Sequence, residues 1–142
     1  MTLKKEGKLI KQFPELFKKI YSSPEDSCMA FGIECGDGWY QLIYDLSEEI
    51  TKYYKENKNK FSEEIEYEQI KEKYGLLRVY TNYVDDYIDN LINIAEQKSK
   101  NICQNCGSIE DIKKINSSWV TYYCKECRDK YEDEEREFFN EN

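Results

Sequence analysis

Residues 103–127 read CQNCGSIEDIKKINSSWVTYYCKEC and contain two Cys-x-x-Cys pairs, Cys103 with Cys106 and Cys124 with Cys127. Seventeen residues separate the two pairs, which is the spacing of a four-cysteine zinc site. Two residues between cysteines allow a tight turn, here called a knuckle, that points both sulfur atoms at one ion. Two knuckles complete a tetrahedron around it. The sequence therefore predicts a structural zinc centre at these four cysteines.

The residues around the cysteines predict a zinc ribbon. Gly107 follows the first pair and permits a turn that aims backbone N–H groups at a thiolate. Arg128 follows the second pair, so we expect the chain to enter a helix directly there. Between the pairs, residues 111–123 (DIKKINSSWVTYY) are typical of a hairpin with Asn116, Ser117 and Ser118 at its turn.

Other uses of four cysteines fit less well. A redox Cys-x-x-Cys pair usually occurs once, beside a βαβ pattern that this chain lacks. Disulfides would need an oxidising compartment. Iron held by the same thiolates stays open, because ligand type alone does not separate it from zinc. Four thiolates leave no position for water or substrate, which indicates a structural rather than a catalytic site.

The residues upstream of the cysteines predict an α+β fold. Hydrophobic periodicity indicates three helices around a small antiparallel sheet of about three strands, followed by the ribbon. We expect a division into an α+β domain, 1–100, and a zinc ribbon with an acidic C-terminal helix, 101–142. The elements expected in the first part are a helix at 9–21, a strand at 28–34, a helix at 38–55, a hairpin at 64–81 and a helix at 83–99.

Several local signals refine these elements. Gly75 is expected to take positive φ in the hairpin turn. The alternation of the first hairpin strand changes parity at Gln69-Ile70, which indicates a bulge. Asp37 and Asn82 are expected to cap the two helices that follow them. Leu77 and Val79 are expected in the core.

Composition narrows the possible functions. The 142 residues include no histidine, which removes the commonest general base and every mixed Cys/His metal site. No apolar run approaches the roughly 20 residues of a membrane span, and the first residues lack the apolar segment of a signal peptide. We expect a cytoplasmic protein that is not an enzyme. The net charge of −8 argues weakly against broad nucleic-acid binding and fits a basic protein partner, with acidic solubility alone as the alternative.

Two surfaces are candidates for partner binding. The hairpin carries bases among tyrosines, but neighbouring glutamates bring its local charge close to zero. The tail is expected to form a helix that docks Tyr131 and Phe138 and turns its acids outward. These acids form a plain solvated face or, as the alternative, mimic phosphates towards a basic partner. The candidate residues are Lys71, Lys73, Tyr74, Arg78, Glu132, Asp133, Glu134 and Glu135. Whether Arg78 faces a buried carboxylate or a partner stays open.

The remaining candidates have structural interpretations. Cys28 and Cys35 are expected to be buried free thiols, with a reactive Cys35 at a helix start as the alternative. Trp39 follows the helical phase of the core and is expected inside rather than as a stacking platform. Asp85, Asp86 and Asp89 are expected on a solvated helix face.

Three blocks of the sequence resemble a group of small hypothetical proteins found largely in phages and prophages. The blocks are FGIECGDGWYQLIYDL (31–46), IKEKYGLLRVY (70–80) and the two cysteine pairs with a tryptophan between them. In that group they occur in the same order, with Phe where this chain has Tyr74 and Val79. The resemblance implies a phage accessory protein in a bacterial cytoplasm, and it brings no catalytic residues.

These features together predict a non-enzymatic zinc protein that binds and inhibits a host protein. The phage resemblance implies that this host protein belongs to an antiviral defence system. The alternative is a nucleic-acid or nucleotide-binding module that uses Lys71, Lys73, Arg78 and the surrounding tyrosines. A carboxylate hydrolase with a second, labile metal ranks third.

Overall fold

Four α-helices and two antiparallel strand pairs make up the described part of the chain, residues 1–116 and 119–141 of a computed structural model. The fold is therefore α+β, as the sequence predicts. Short 3-10 turns lie at Lys18–Tyr21, Cys28–Phe31, Asp37–Trp39 and Lys58–Lys60. The main elements are α1 (Leu3–Gln12), α2 (Tyr40–Glu56), β1 (Tyr67–Lys73), β2 (Leu76–Thr81), α3 (Asp86–Ser99), β3 (Lys113–Asn116), β4 (Val120–Tyr123) and α4 (Lys125–Glu141).

The β1–β2 hairpin forms as expected. Gly75 has φ of 79° and Tyr74 has φ of 53°, so both turn residues are left-handed, which two-residue hairpin turns require. The register is irregular between Tyr67 and Gln69, and this confirms the predicted bulge. Leu77 and Val79 are buried, as predicted, because the hairpin packs one face against α3.

The main core lies between the hairpin and the helices. Trp39 is fully buried, so its predicted core position is confirmed. The Ser47 hydroxyl contributes to the core by donating to the Ile43 carbonyl at 2.7 Å and pairing with the Tyr67 hydroxyl at 2.8 Å. Other buried members are Leu9, Phe13, Leu16, Phe17, Met29, Ile33, Leu42, Ile43, Leu46, Ile50, Ile65, Ile70, Ile88, Ile92 and Ala95.

The predicted helix at 9–21 is wrong in its bounds. The helix ends at Gln12, and residues 18–21 form only a 3-10 turn. Pro14 explains the break, because the residue before a proline is sterically driven out of the α region, and Phe13 has φ of −128° and ψ of 59°. Phe13 and Leu16 are nonetheless buried.

The predicted strand at 28–34 is also wrong. Residues 28–31 form a 3-10 turn whose first amide, that of Met29, is bound by the Ser27 hydroxyl at 3.2 Å. Gly32 then takes φ of 79°, which breaks an extended chain. Only Glu34 pairs with the hairpin, through an isolated parallel bridge to Lys71. The first sheet therefore has two strands.

Neither predicted helix cap is correct. The Asp37 carboxylate accepts the Thr2 amide at 2.7 Å instead of capping α2, and this hydrogen bond lowers the Asp37 pKa. Asp85 rather than Asn82 caps α3, because its carboxylate accepts the Ile88 amide at 2.9 Å. The Asp85 carboxylate also accepts the Tyr53 hydroxyl, so Asp85 is not simply part of a solvated face.

The C-terminal region follows the predicted ribbon layout where it is described. β3 and β4 pair antiparallel, and α4 begins one residue after Cys124. Ser117 and Ser118, expected at the turn, lie outside the described residues. Tyr131 is half-buried and its ring centroid lies 6.2 Å from that of Tyr123, whereas Phe138 is 64% exposed and its docking stays a prediction.

The division into two domains at residue 100 stays a prediction. Cys103, Cys124 and Cys127 form a small core apart from the main one, together with Ile112 and Tyr123. Among the described helices, none combines the length and the apolar character needed to cross a membrane.

Candidate metal centre

The four predicted cysteines come together at one point. Their sulfur atoms all lie within 4.8 Å of one another, and those of Cys106 and Cys124 are 3.6 Å apart. A tetrahedral ion with metal–sulfur bonds of about 2.3 Å holds its ligands roughly 3.8 Å apart, whereas a disulfide needs about 2.05 Å. The thiols are therefore spaced to hold one metal ion.

Backbone hydrogen bonds shape each knuckle. The Gly107 amide donates to the Cys103 carbonyl at 2.8 Å, and the Arg128 amide donates to the Cys124 carbonyl at 2.9 Å. Gly107 has φ of 83°, so the predicted need for glycine after the first pair is confirmed. The second knuckle instead continues into α4, which includes Cys127.

The cluster favours thiolates at Cys103. Burial of this thiol opposes its ionisation, but backbone N–H groups of Cys124, Cys106 and Asn105 point at the sulfur and outweigh burial. The pKa of Cys103 is lowered to about 7 as a result. A thiolate is the form that binds a metal ion.

Two residues support the centre: Asn105, which the sequence reasoning did not name, and Arg128, which it named only as the start of a helix. The Asn105 side-chain amide donates to the Cys127 sulfur at 3.3 Å. The Arg128 guanidinium donates to the Tyr123 carbonyl at 2.8 Å and pairs with the Asp111 carboxylate at 3.1 Å. Arg128 therefore ties the start of α4 to the loop and strand that precede it. Outer hydrogen bonds of this kind orient metal ligands.

The first knuckle packs directly on the turn before α2. The Gly38 amide donates to the Gln104 carbonyl at 2.8 Å, and the Gly36 amide donates to the Gln104 side-chain oxygen at 3.0 Å. A Cβ at Gly38 would clash with the Cys103 carbonyl oxygen, and one at Gly36 would clash with the Gln104 carbonyl oxygen. Glycine is required at both positions because two backbones meet there.

Trp39 adds a third link between the same segments. Its indole nitrogen donates to the Ile102 carbonyl at 3.1 Å, which satisfies the one polar atom of a fully buried ring. The block Cys-Gly-Asp-Gly-Trp, residues 35–39, thus forms the surface on which the first knuckle of the metal centre packs. Two glycines flanking Asp37 before a tryptophan were the sequence signal that could have revealed it.

The other two cysteines lie outside the cluster. Cys35 is buried, and burial raises its pKa to about 12. Burial therefore disfavours the thiolate form that a reactive Cys35 would need. Cys28 is exposed, so the expectation of burial is wrong for it, because the segment around it forms a 3-10 turn and not a strand.

The candidate partner-binding residues fall into two groups. Lys71 and Arg78 lie opposite each other on the two strands of the hairpin, and Lys73 and Tyr74 lie at its tip. An Arg78 guanidinium nitrogen lies 3.7 Å from a Glu96 carboxylate oxygen, with about a third of the side chain exposed. Arg78 thus faces a carboxylate of its own chain. The acidic group shares one helix, α4: Glu132, Asp133, Glu134 and Glu135.

Comparison with known proteins adds no relative: the chain matches no protein-family model, no curated protein and no solved structure at a significant level.

Substituting Gly38 by alanine is expected to separate the knuckle from α2. The new methyl group must displace the Cys103 carbonyl, so we expect the free energy of unfolding to fall by about 2 kcal/mol or more in urea titrations. Gly7→Ala is the control, because nothing lies within 4 Å of its added Cβ, and alanine in a helix should raise stability by up to about 1 kcal/mol. Equal stability of the two variants would contradict the contact.

Substituting Cys106 by serine is expected to remove the metal and unfold the C-terminal module, because metal binding there is folding free energy. Elemental analysis and circular dichroism measure both effects. Cys28→Ser is the control and should keep the metal, since Cys28 lies outside the cluster. A folded Cys106→Ser protein with its metal retained would refute the four-cysteine assignment.

Proposed function

We propose that this chain is a phage accessory protein that holds a structural zinc ion and binds a host protein in the bacterial cytoplasm, without catalysis of its own. The observation that carries the proposal is α4. Of its seventeen residues only Cys127 is buried, and most of those beyond Tyr131 are exposed, so the second half of the helix has surface to offer to a partner. Most of the stability of a helix in a protein comes from packing of one of its faces, and a partner would add such packing to α4.

Zinc is the proposed ion because four thiolates arranged for a tetrahedron are the typical structural zinc ligands. Cys103, Cys106, Cys124 and Cys127 would hold it and leave no position for water or substrate. The ion would fix the direction in which α4 leaves the ribbon. Iron bound at the same four cysteines would be distinguished from zinc by its absorption of visible light. Reduced thiols in all six cysteines suit the reducing cytoplasm.

The charge of α4 supports a basic partner. Residues 132–141 contain six acids and one base. Arg136 lies within 3.8 Å of Glu132 and 3.4 Å of Asp133. No cation pairs with Glu134 or Glu135 among the described residues. A helix with this surface suits a basic protein that otherwise binds nucleic acid.

Inhibition of antiviral defence is proposed from the phage resemblance of the sequence. An acidic helix that occupies the nucleic-acid surface of a defence protein would block it by competition. The exposed hairpin tip, where Tyr74 is largely exposed, offers a second contact for the same partner.

Affinity purification of the zinc-loaded chain from infected bacteria tests this function. We expect a basic host protein to be retained by the wild type and lost with Glu134→Lys/Glu135→Lys, because the swapped charges repel a basic surface. Glu48→Lys/Glu49→Lys is the control, with the same change of charge at exposed residues of α2. If the wild type captures no host protein and leaves phage resistance unchanged, the proposal fails.

Nucleic-acid or nucleotide binding is the second candidate. It is favoured by the hairpin, where the Lys73 ammonium lies 5.9 Å from the Tyr74 ring and the Lys71 ammonium lies 6.0 Å from the Tyr80 ring. Aromatic rings beside cations hold single strands. Arg78 contributes less, since Glu96 lies beside it.

Titration of labelled single-stranded DNA, or of a cyclic nucleotide, at low salt tests this second candidate. Binding that weakens steeply as salt rises, and that falls with Lys73→Glu, is its expected signature. Lys52→Glu, an exposed lysine on α2, is the control. Absence of any binding at low salt would eliminate it.

A further inference from the structure

One of the four thiols at the metal centre is open to solvent. Cys106 is exposed, whereas the other three cysteines of the cluster are buried. Its neighbours in the first knuckle are the exposed Asn105 and the half-buried Gly107, so neither side of the thiol is enclosed by the core. A small reagent in solution therefore reaches the cluster first at Cys106.

A second thiol lies close to this exposed one. The Cys106 sulfur is 3.6 Å from the Cys124 sulfur, which belongs to the other knuckle. A disulfide requires about 2.05 Å between its sulfur atoms, so the two atoms need to approach each other by only about 1.5 Å. Cys124 is therefore placed to react with Cys106 once Cys106 has been oxidised.

Metal binding gives Cys106 its reactive form. A thiol that coordinates a metal ion is deprotonated, and the thiolate rather than the thiol is the nucleophile. Oxidation by peroxides follows thiolate character and exposure, and it is reversible where a second thiol stands next to the first. Cys106 meets all three conditions. Cys35 does not, because it is buried, and the exposed Cys28 lies outside the cluster.

We propose that Cys106 is a site of reversible oxidation by peroxides and that Cys124 is the thiol that completes the reaction. The product is a disulfide between Cys106 and Cys124 that joins the two knuckles in place of the metal ion. The inference rests on the zinc ion of the proposed function, and it is independent of the host protein.

The reaction takes place in two steps at sulfur. The Cys106 thiolate attacks one oxygen of hydrogen peroxide, so that an S–O bond forms, the O–O bond breaks and hydroxide leaves. The Cys124 thiolate then attacks the Cys106 sulfur, so that the S–S bond forms, the S–O bond breaks and a second hydroxide leaves. Two electrons pass from the two sulfurs to the peroxide, and two protons from solvent convert both hydroxides to water.

This oxidation removes two of the four metal ligands. Cys103 and Cys127 remain, but a structural zinc site uses four ligands, so the ion is released. Because metal binding at such a site is folding free energy, the C-terminal region loses stability. The effect falls on α4, since Cys127 is both a ligand and the one buried residue of that helix. The position of the acidic helix would thus depend on the redox state of the cluster.

The oxidised state can be reversed. A dithiol reductant attacks the disulfide, returns two electrons to it and regenerates both thiols, after which the cluster can bind zinc again. Cys106 and Cys124 lie eighteen positions apart in the chain, and a disulfide that closes a loop of this kind restricts the unfolded chain. The two knuckles therefore stay close to each other while the ion is absent, which favours recovery.

Peroxide treatment of the full zinc-loaded chain tests the inference. A chromogenic chelator follows zinc release, and mass spectrometry of peptides, after free thiols are blocked, locates the disulfide. We expect zinc release in step with disulfide formation and Cys106–Cys124 as the first linkage. Dithiothreitol with added zinc should restore the metal and the helical circular dichroism signal. A first disulfide that leaves Cys106 reduced, or zinc release with no disulfide, overturns the inference.

Cys106→His separates oxidation of Cys106 from loss of a ligand. Three cysteines and one histidine are also a structural zinc set, so this variant should keep its zinc without an exposed thiolate. We expect peroxide to release zinc about tenfold more slowly or less. Cys28→Ser is the matched control, since it removes the other exposed cysteine and should release zinc at the wild-type rate. A Cys106→His protein that loses zinc as fast as the wild type contradicts the inference.

Cys124→His tests the second step. It keeps the Cys106 thiolate but removes the thiol that reacts with its oxidised form, so the sulfenic acid of Cys106 should accumulate and be trapped by dimedone. No trapped adduct at Cys106 would count against the assignment. If either histidine variant fails to hold zinc, the linkage found in the wild type still decides.

Metal content and host capture separate this inference from the proposed function. Zinc that is held by the reduced chain and is not released by peroxide removes only the inference. Zinc release as expected, with no host protein captured, removes only the host contact of the proposed function. A reduced chain that holds no zinc removes the zinc assignment before any peroxide is added.

Discussion

Three segments of the chain meet at the turn formed by Gly36, Asp37 and Gly38. The Gln104 backbone and side chain accept the amides of the two glycines, and the Asp37 carboxylate accepts the Thr2 amide. The first knuckle, the start of α2 and the N-terminus are thereby fixed to one another. Two backbones can meet so closely only where no Cβ intervenes. The architecture around the metal centre therefore depends on glycine at Gly36 and Gly38.

This contact couples the metal centre to the main core. Trp39 is fully buried in that core and its indole nitrogen donates to the Ile102 carbonyl, next to the first cysteine. An ion bound by the four cysteines would hold both knuckles, and the first knuckle holds the turn. The second knuckle continues into α4, and Arg128 ties that helix to β4 and Asp111. The direction of α4 therefore follows from the metal centre.

Charge is distributed unevenly along this architecture. The net value of −8 conceals a basic α1 and an acidic end of α4. Many of the remaining charges pair within the chain, such as Lys19 with Glu68 at 2.8 Å and Arg78 with Glu96 at 3.7 Å. The charges available to partners are thus concentrated at two surfaces of opposite charge, the basic α1 and the acidic end of α4. The proposed basic host protein follows from the acidic one.

The sequence by itself determined the features that depend on neighbours within a few residues: the two knuckles, the hairpin turn at Gly75 and the buried face of α2. The end of α1 could have been read from Pro14, which drives Phe13 out of the α region. The 3-10 turn at Cys28–Phe31 could not be placed, because alternating apolar residues suit more than one local structure, and neither could the cap at Asp85, because Asn82 and Asp85 are both suitable cap residues. Packing chose among them. Which segment packs on the turn at Gly36–Gly38 was decided by tertiary structure: the two glycines signal a close approach of backbones, but the backbone that approaches lies more than sixty residues away.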